Sequence, residues 1–140
     1  MAQIGTSFIA GSLALGLLAS CAPPTPAPVE KVSTAFDGIY EGDSAVDRAN
    51  SSGACNNGGH AKLIVTNGHA IIDRQGDTRE GWVTPDGSLK MTGTTGRGAA
   101  VLVVALDGVF KDGAFTGVSV FGIPPRCVYN WPSFKRVLTS

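Results

Sequence analysis

Charge is missing from the start of this chain. No Asp, Glu, Lys or Arg occurs before Glu30, and over all 140 residues eleven basic side chains balance eleven acidic ones. An even balance without a basic face argues against nucleic acid as a partner. Long apolar runs are missing too. The longest, Phe8 to Ala19, falls short of the roughly 18 residues that a membrane-spanning helix needs. Histidine is confined to His60 and His69. A serine hydrolase therefore has no C-terminal base, and no set of three or four zinc ligands can be assembled. No Cys-x-x-Cys spacing occurs, which argues against a redox pair. From Ser33 onward no 3.6-residue apolar period is sustained, so a helix bundle is excluded.

Hydrophobic residues make up 43% of the chain, too many for a disordered protein. Nineteen Gly and eight Pro imply many turns, and three Cys leave one without an internal partner.

The apolar run Phe8–Ala19 has the length of the core of a secretory signal. It leads into Leu18-Ala19-Ser20-Cys21, a Leu, two small residues and a Cys. This resembles the lipobox of bacterial lipoprotein precursors. Met1–Phe8 departs from such signals in having only the α-amino group as positive charge. The resemblance implies a signal peptide over 1–20, a diacylglycerol on the Cys21 thiol, and cleavage just before Cys21. Two or three acyl chains hold a protein firmly on a membrane, each buried CH₂ contributing about 0.8 kcal/mol. Ala22 rather than Asp after the lipidated Cys implies outer-membrane sorting in a Gram-negative host. Residues 21–32 then form a tether with four prolines, biased towards extended polyproline II.

Residues 33–140 read as one all-β domain. Short β-rich runs lie near 35–45, 61–66, 69–75, 79–84, 88–93, 99–110, 114–121 and 127–138, separated by turn residues. Asn67-Gly68, Asp86-Gly87 and Asp112-Gly113 suit two-residue type I′ hairpin turns. The first pairs Val65 with Ala70 and Leu63 with Ile72. The second pairs Trp82 with Met91 and Thr84 with Leu89. The third pairs Phe110 with Phe115, Gly108 with Gly117 and Val104 with Phe121. Each register yields an apolar face, and Trp82, Leu102, Val104, Leu106 and Phe110 are expected inside. The set Val101, Val103 and Ala105 is also apolar, which suggests a covered outer face or an interface. About eight antiparallel strands in an up-and-down meander make a closed or nearly closed barrel. Gly38-Ile39-Tyr40 in the first strand and Arg136 in Phe134-Lys135-Arg136-Val137 of the last resemble the Gly-x-Trp and C-terminal Arg of lipocalin- and avidin-like barrels, with Tyr in place of Trp. The resemblance implies a calycin-type barrel and transfers no ligand-binding residue.

With Cys21 taken by lipid, Cys55 and Cys127 remain in an exported, oxidising environment and are expected to form a disulfide. The closed loop of about 70 residues is worth roughly 4 kcal/mol in the chain-entropy model. Other motifs carry no chemistry. Gly42-Asp43-Ser44 matches the start of the Gly-Asp-Ser-Leu hydrolase motif but ends a strand. Ser119 lacks the second glycine of a nucleophile elbow. Gly93–Gly98 precedes a strand instead of the helix a phosphate loop requires. No acid, base and nucleophile set forms, so no enzyme, cofactor or metal is expected. Ile123, Pro124, Pro125 and Trp131 gather at one barrel end as a contact patch. The function expected is therefore a membrane-anchored lipoprotein with a structural or protein-binding domain and an envelope protein as partner. The alternatives are a lipocalin-like carrier of a small apolar ligand and a periplasmic protease inhibitor acting through the tether.

Overall fold

Period-two alternation of apolar side chains runs through the strands and shifts once in the last, where Pro132 and Ser133 are both exposed between buried Trp131 and Phe134. The structure is a computed structural model that describes residues 31–73, 76–96, 101–122 and 125–137. The strands are β1 (Gly38–Val46), β2 (Gly58–Thr66), β3 (His69–Ile72), β4 (Glu80–Val83), β5 (Ser88–Thr95), β6 (Leu102–Lys111), β7 (Ala114–Phe121) and β8 (Cys127–Val137). Each is antiparallel to the next, and β8 returns to pair with β1. The result is a closed eight-stranded up-and-down barrel without free sheet edges.

Two of the three expected turns take the expected form. Asn67 and Gly68 have φ of 51° and 74°, as do Asp112 and Gly113. These are the positive angles of a type I′ turn. The pairs Leu63–Ile72, Val65–Ala70, Phe110–Phe115, Gly108–Gly117 and Val104–Phe121 all form.

The third turn differs by one residue. Trp82 pairs with Lys90 and Val83 with Leu89. The Gly87 N–H donates to Thr84 O at 2.9 Å, and the Thr84 N–H to Ser88 O at 3.0 Å. The loop is thus Pro85-Asp86-Gly87. Pro85 takes the position of a type I turn that its fixed φ favours, and only Gly87, at φ 84°, is left-handed. The one-residue shift reverses the faces of β4. Trp82 lies outside at 56% exposure, where its ring meets His69 at 4.7 Å, and Val83 lies inside.

The end of the barrel that carries these three turns is closed. Residues 33–37 cross it. The Ser33 N–H donates to Val83 O at 2.8 Å, and the Phe36 ring stacks on Phe110 at 5.4 Å. The Asp37 carboxylate accepts from the Asn67 and Gly68 N–H groups, both at 2.8 Å. The Arg136 guanidinium donates to the Asp37 carbonyl. Above this floor Tyr40, Leu63, Leu89, Met91, Leu106, Phe115 and Phe134 are fully buried. Each such side chain contributes about 1.5–3 kcal/mol of transfer free energy.

Among the sequence expectations, Leu102 sits at the rim, 39% exposed, while Val104, Leu106 and Phe110 are inside. Val103 and Val118 face outward and are exposed.

Candidate functional site

The opposite end of the barrel is built differently. Here the inward positions carry small or polar residues: Ser44 on β1, Ala61 on β2, Thr95 on β5 and Ser119 on β7. They cannot fill the interior. A cavity of about 450 Å³ remains, lined also by Ile72, Leu102, Phe121, Tyr129 and Trp131. That lies within the ordinary size of a small-molecule site, about 300–1,000 Å³.

Arg79 enters this cavity just before β4. Gly93 on β5 makes room for it: a Cβ there would lie 2.5 Å from Thr78 O and 2.7 Å from the Arg79 Cα. The backbone of 77–79 therefore lies tightly against β5, where the Thr78 N–H donates to Thr94 O at 2.8 Å. Arg79 is 3% exposed. Its Nε donates to both carboxylate oxygens of Asp77, at 2.9 and 3.1 Å, and its Nη2 to Asp77 Oδ2 at 2.5 Å. The Arg79 backbone N–H adds a bond of 3.0 Å. A forked pair of this kind is the geometry in which a buried charge is tolerated.

Among the described residues, Arg79 Nη1 has no hydrogen-bond partner. Its Cζ lies 5.1 Å from the Phe121 ring centre and 5.9 Å from that of Trp131. These distances are within cation–π range. Trp131 in turn donates from Nε1 to the buried Ser119 Oγ at 3.0 Å.

The β1–β2 loop lies over the mouth and contributes Ala54, Cys55 and Asn56 to the lining. Cys55 and Cys127 are disulfide-bonded, with Cα atoms 5.7 Å apart. The Tyr129 hydroxyl donates to Asn56 Oδ1 at 2.7 Å, and the Ser52 N–H to Arg126 O at 2.8 Å. Within the loop, Arg48 donates to Cys55 O at 3.0 Å. At its start the Asp47 carboxylate accepts from the Asn50 side chain at 2.7 Å. That bond is the largest cause holding the Asp47 carboxyl below its usual pKa.

Of the contact patch expected from sequence, Trp131 is turned inward. Trp131 is 3% exposed and belongs to the cavity wall, because β8 alternation and the Ser119 hydrogen bond turn it inward. Pro125 is exposed, and Ile123 and Pro124 lie outside the described residues, as do Cys21 and the lipobox. His69 is on the outer wall, and His60 is exposed at the edge of the cavity lining. His60 lies 3.5 Å from Asp43, and His69 lies 3.1 Å from Glu80. The described residues contain no group of three metal-binding side chains.

Arg79 and Asp77 escaped the sequence reading. The signal was available: Val83, Gly81 and Arg79 share one face by period two once Val83 is placed inside. No family model, curated protein or solved structure matches this chain.

Proposed function

We propose that the protein is an exported lipoprotein whose barrel holds a small molecule in its open half. The observation that carries this reading is the cavity of about 450 Å³ above a packed floor, reached past a disulfide-pinned loop. A purely structural barrel of this size has no need of a polar, half-filled interior. The lipobox at Leu18–Cys21 supports the anchor, and Ala22 supports the outer membrane as its site where the host has two membranes.

A second reading, contact with an envelope protein, is favoured by Ile71 and Trp82 exposed on adjoining strands of the outer wall. It is compatible with the first, since the two use opposite faces of the sheet.

Intact mass spectrometry of the membrane-extracted protein tests the proposal. The expected mass is residues 21–140 with two or three acyl chains, plus a small molecule released on denaturation. An unlipidated mass overturns the anchor. A lipidated protein that carries no releasable molecule in fresh extracts overturns the carrier.

A further inference from the structure

The outer wall changes character along its height. Near the closed floor, the outward positions of one side are apolar. Val137 pairs with Ile39, Ile39 with Ile64 and Ile64 with Ile71, so the four make one row across β8, β1, β2 and β3. Trp82 extends the row onto β4, where it pairs with His69. Val137, Ile71 and Trp82 are exposed. The next row, towards the cavity mouth, is charged. Lys62 Nζ lies 3.2 Å from a Glu41 carboxylate oxygen and 3.9 Å from one of Asp73, and Glu41 pairs with Lys135. On the opposite wall the exposed Val118 stands across from Asp107, so charge interrupts the apolar surface there.

The tether starts at the edge of the apolar row. Val32 lies so close to Gly68, in the β2–β3 turn, that a Cβ on Gly68 would collide with it. Ten residues separate Val32 from Cys21. Even fully extended, that stretch reaches no more than about 40 Å. A lipid on Cys21 therefore holds the floor end near the bilayer, and the short tether gives the adjoining wall a high effective concentration at the lipid surface. A patch too small to hold a free protein on a membrane suffices under that condition. Tryptophan is also the side chain that favours the headgroup level of a bilayer.

We propose that the wall formed by Val137, Ile39, Ile64, Ile71 and Trp82 rests on the lipid surface in which Cys21 is anchored. The Glu41–Lys62–Asp73 ion pairs mark the water boundary, and the cavity mouth lies beyond them. This rests on the lipoprotein reading and is independent of the carrier reading. A protein partner is the competing occupant of the same wall, and the position of the tether favours the membrane.

Trp82 reports its own surroundings, because the chain has two tryptophans and the other, Trp131, is buried. The lipidated full chain is reconstituted into phosphatidylcholine vesicles brominated near the carboxyl end of one acyl chain, and flotation reads its attachment. The difference between wild type and Trp82→Phe isolates the emission of Trp82. Bromine should remove about half of that emission, as for a ring at headgroup level, and acrylamide in the water should be kept from it. In Trp82→Phe/Val118→Trp the exposed ring stands on the opposite wall, where bromine should spare it and acrylamide reach it. A floating protein whose Trp82 is untouched by bromine and open to acrylamide overturns the docking, leaves the anchor standing and frees the wall for a protein partner. Equal quenching at the two positions overturns the choice of wall. A protein that does not float overturns the anchor and the docking with it.

Discussion

Cys127 opens β8, Cys55 sits within the β1–β2 loop, and their bond fixes that loop across the mouth of the cavity. The two residues are 72 positions apart. Linking them restricts the unfolded chain far more than the folded one. The Cys55→Ala/Cys127→Ala variant should therefore lose about 4 kcal/mol of stability. Urea unfolding of the oxidised wild type and the double variant measures this. A ligand held under the loop should also leave the variant faster, because only hydrogen bonds such as Tyr129–Asn56 then hold the loop down.

Asp77 and Arg79 should behave as one unit. Both side chains are almost wholly shielded from water, at 0% and 2% exposure. Asp77→Asn or Arg79→Met alone leaves one charge unpaired and should cost about 3–5 kcal/mol. The double variant removes both charges and should be close to wild-type stability. A double-mutant cycle in urea reads the coupling directly. Additive losses would mean that the two side chains do not depend on each other in the folded protein.

Much of the barrel was legible because its information is local. Asn67-Gly68 and Asp112-Gly113 each fix a register within a few residues, and alternation then carries that register along the strand. Pro85 was the exception. Pro-Asp-Gly specifies a three-residue loop, and reading it as a two-residue Asp-Gly turn places Trp82 inside and Arg79 outside. One misplaced residue thus hid both the exposed tryptophan and the buried arginine. The cavity was hidden for another reason. Empty space arises from what eight strands fail to fill together, and no single run of sequence records it. The observed register makes a clear contrast. Trp82→Ala should change stability by about 0.5 kcal/mol or less, as expected for a surface position. Leu89→Ala, in the packed floor, should cost about 2–5 kcal/mol. Thermal or urea unfolding of the two variants checks both values.

Tyr40 is almost fully buried, at 2% exposure. Its hydroxyl donates to the Phe36 carbonyl at 2.9 Å, just under the segment that closes the floor. Burial is the main reason its pKa lies above the ordinary 10.0, and Asp37 raises it further, while Arg136 pulls the other way. The folded state therefore favours the neutral phenol. Well below pH 10.0 both folded and unfolded chains carry the proton, and the contribution of the phenol is complete. As pH rises, the unfolded chain loses its proton first and is stabilised relative to the folded one, so stability falls until the raised folded value is passed. Tyr40→Phe removes this titration along with the hydrogen bond to Phe36. At pH 8 the variant should be less stable than the wild type by about 1 kcal/mol, the usual worth of such a bond. Between pH 10 and 11.5 the gap should narrow, because only the wild type loses the contribution of residue 40. Urea midpoints of both proteins across that range provide the measurement. A gap that stays constant or widens would mean that residue 40 does not stay protonated in the fold.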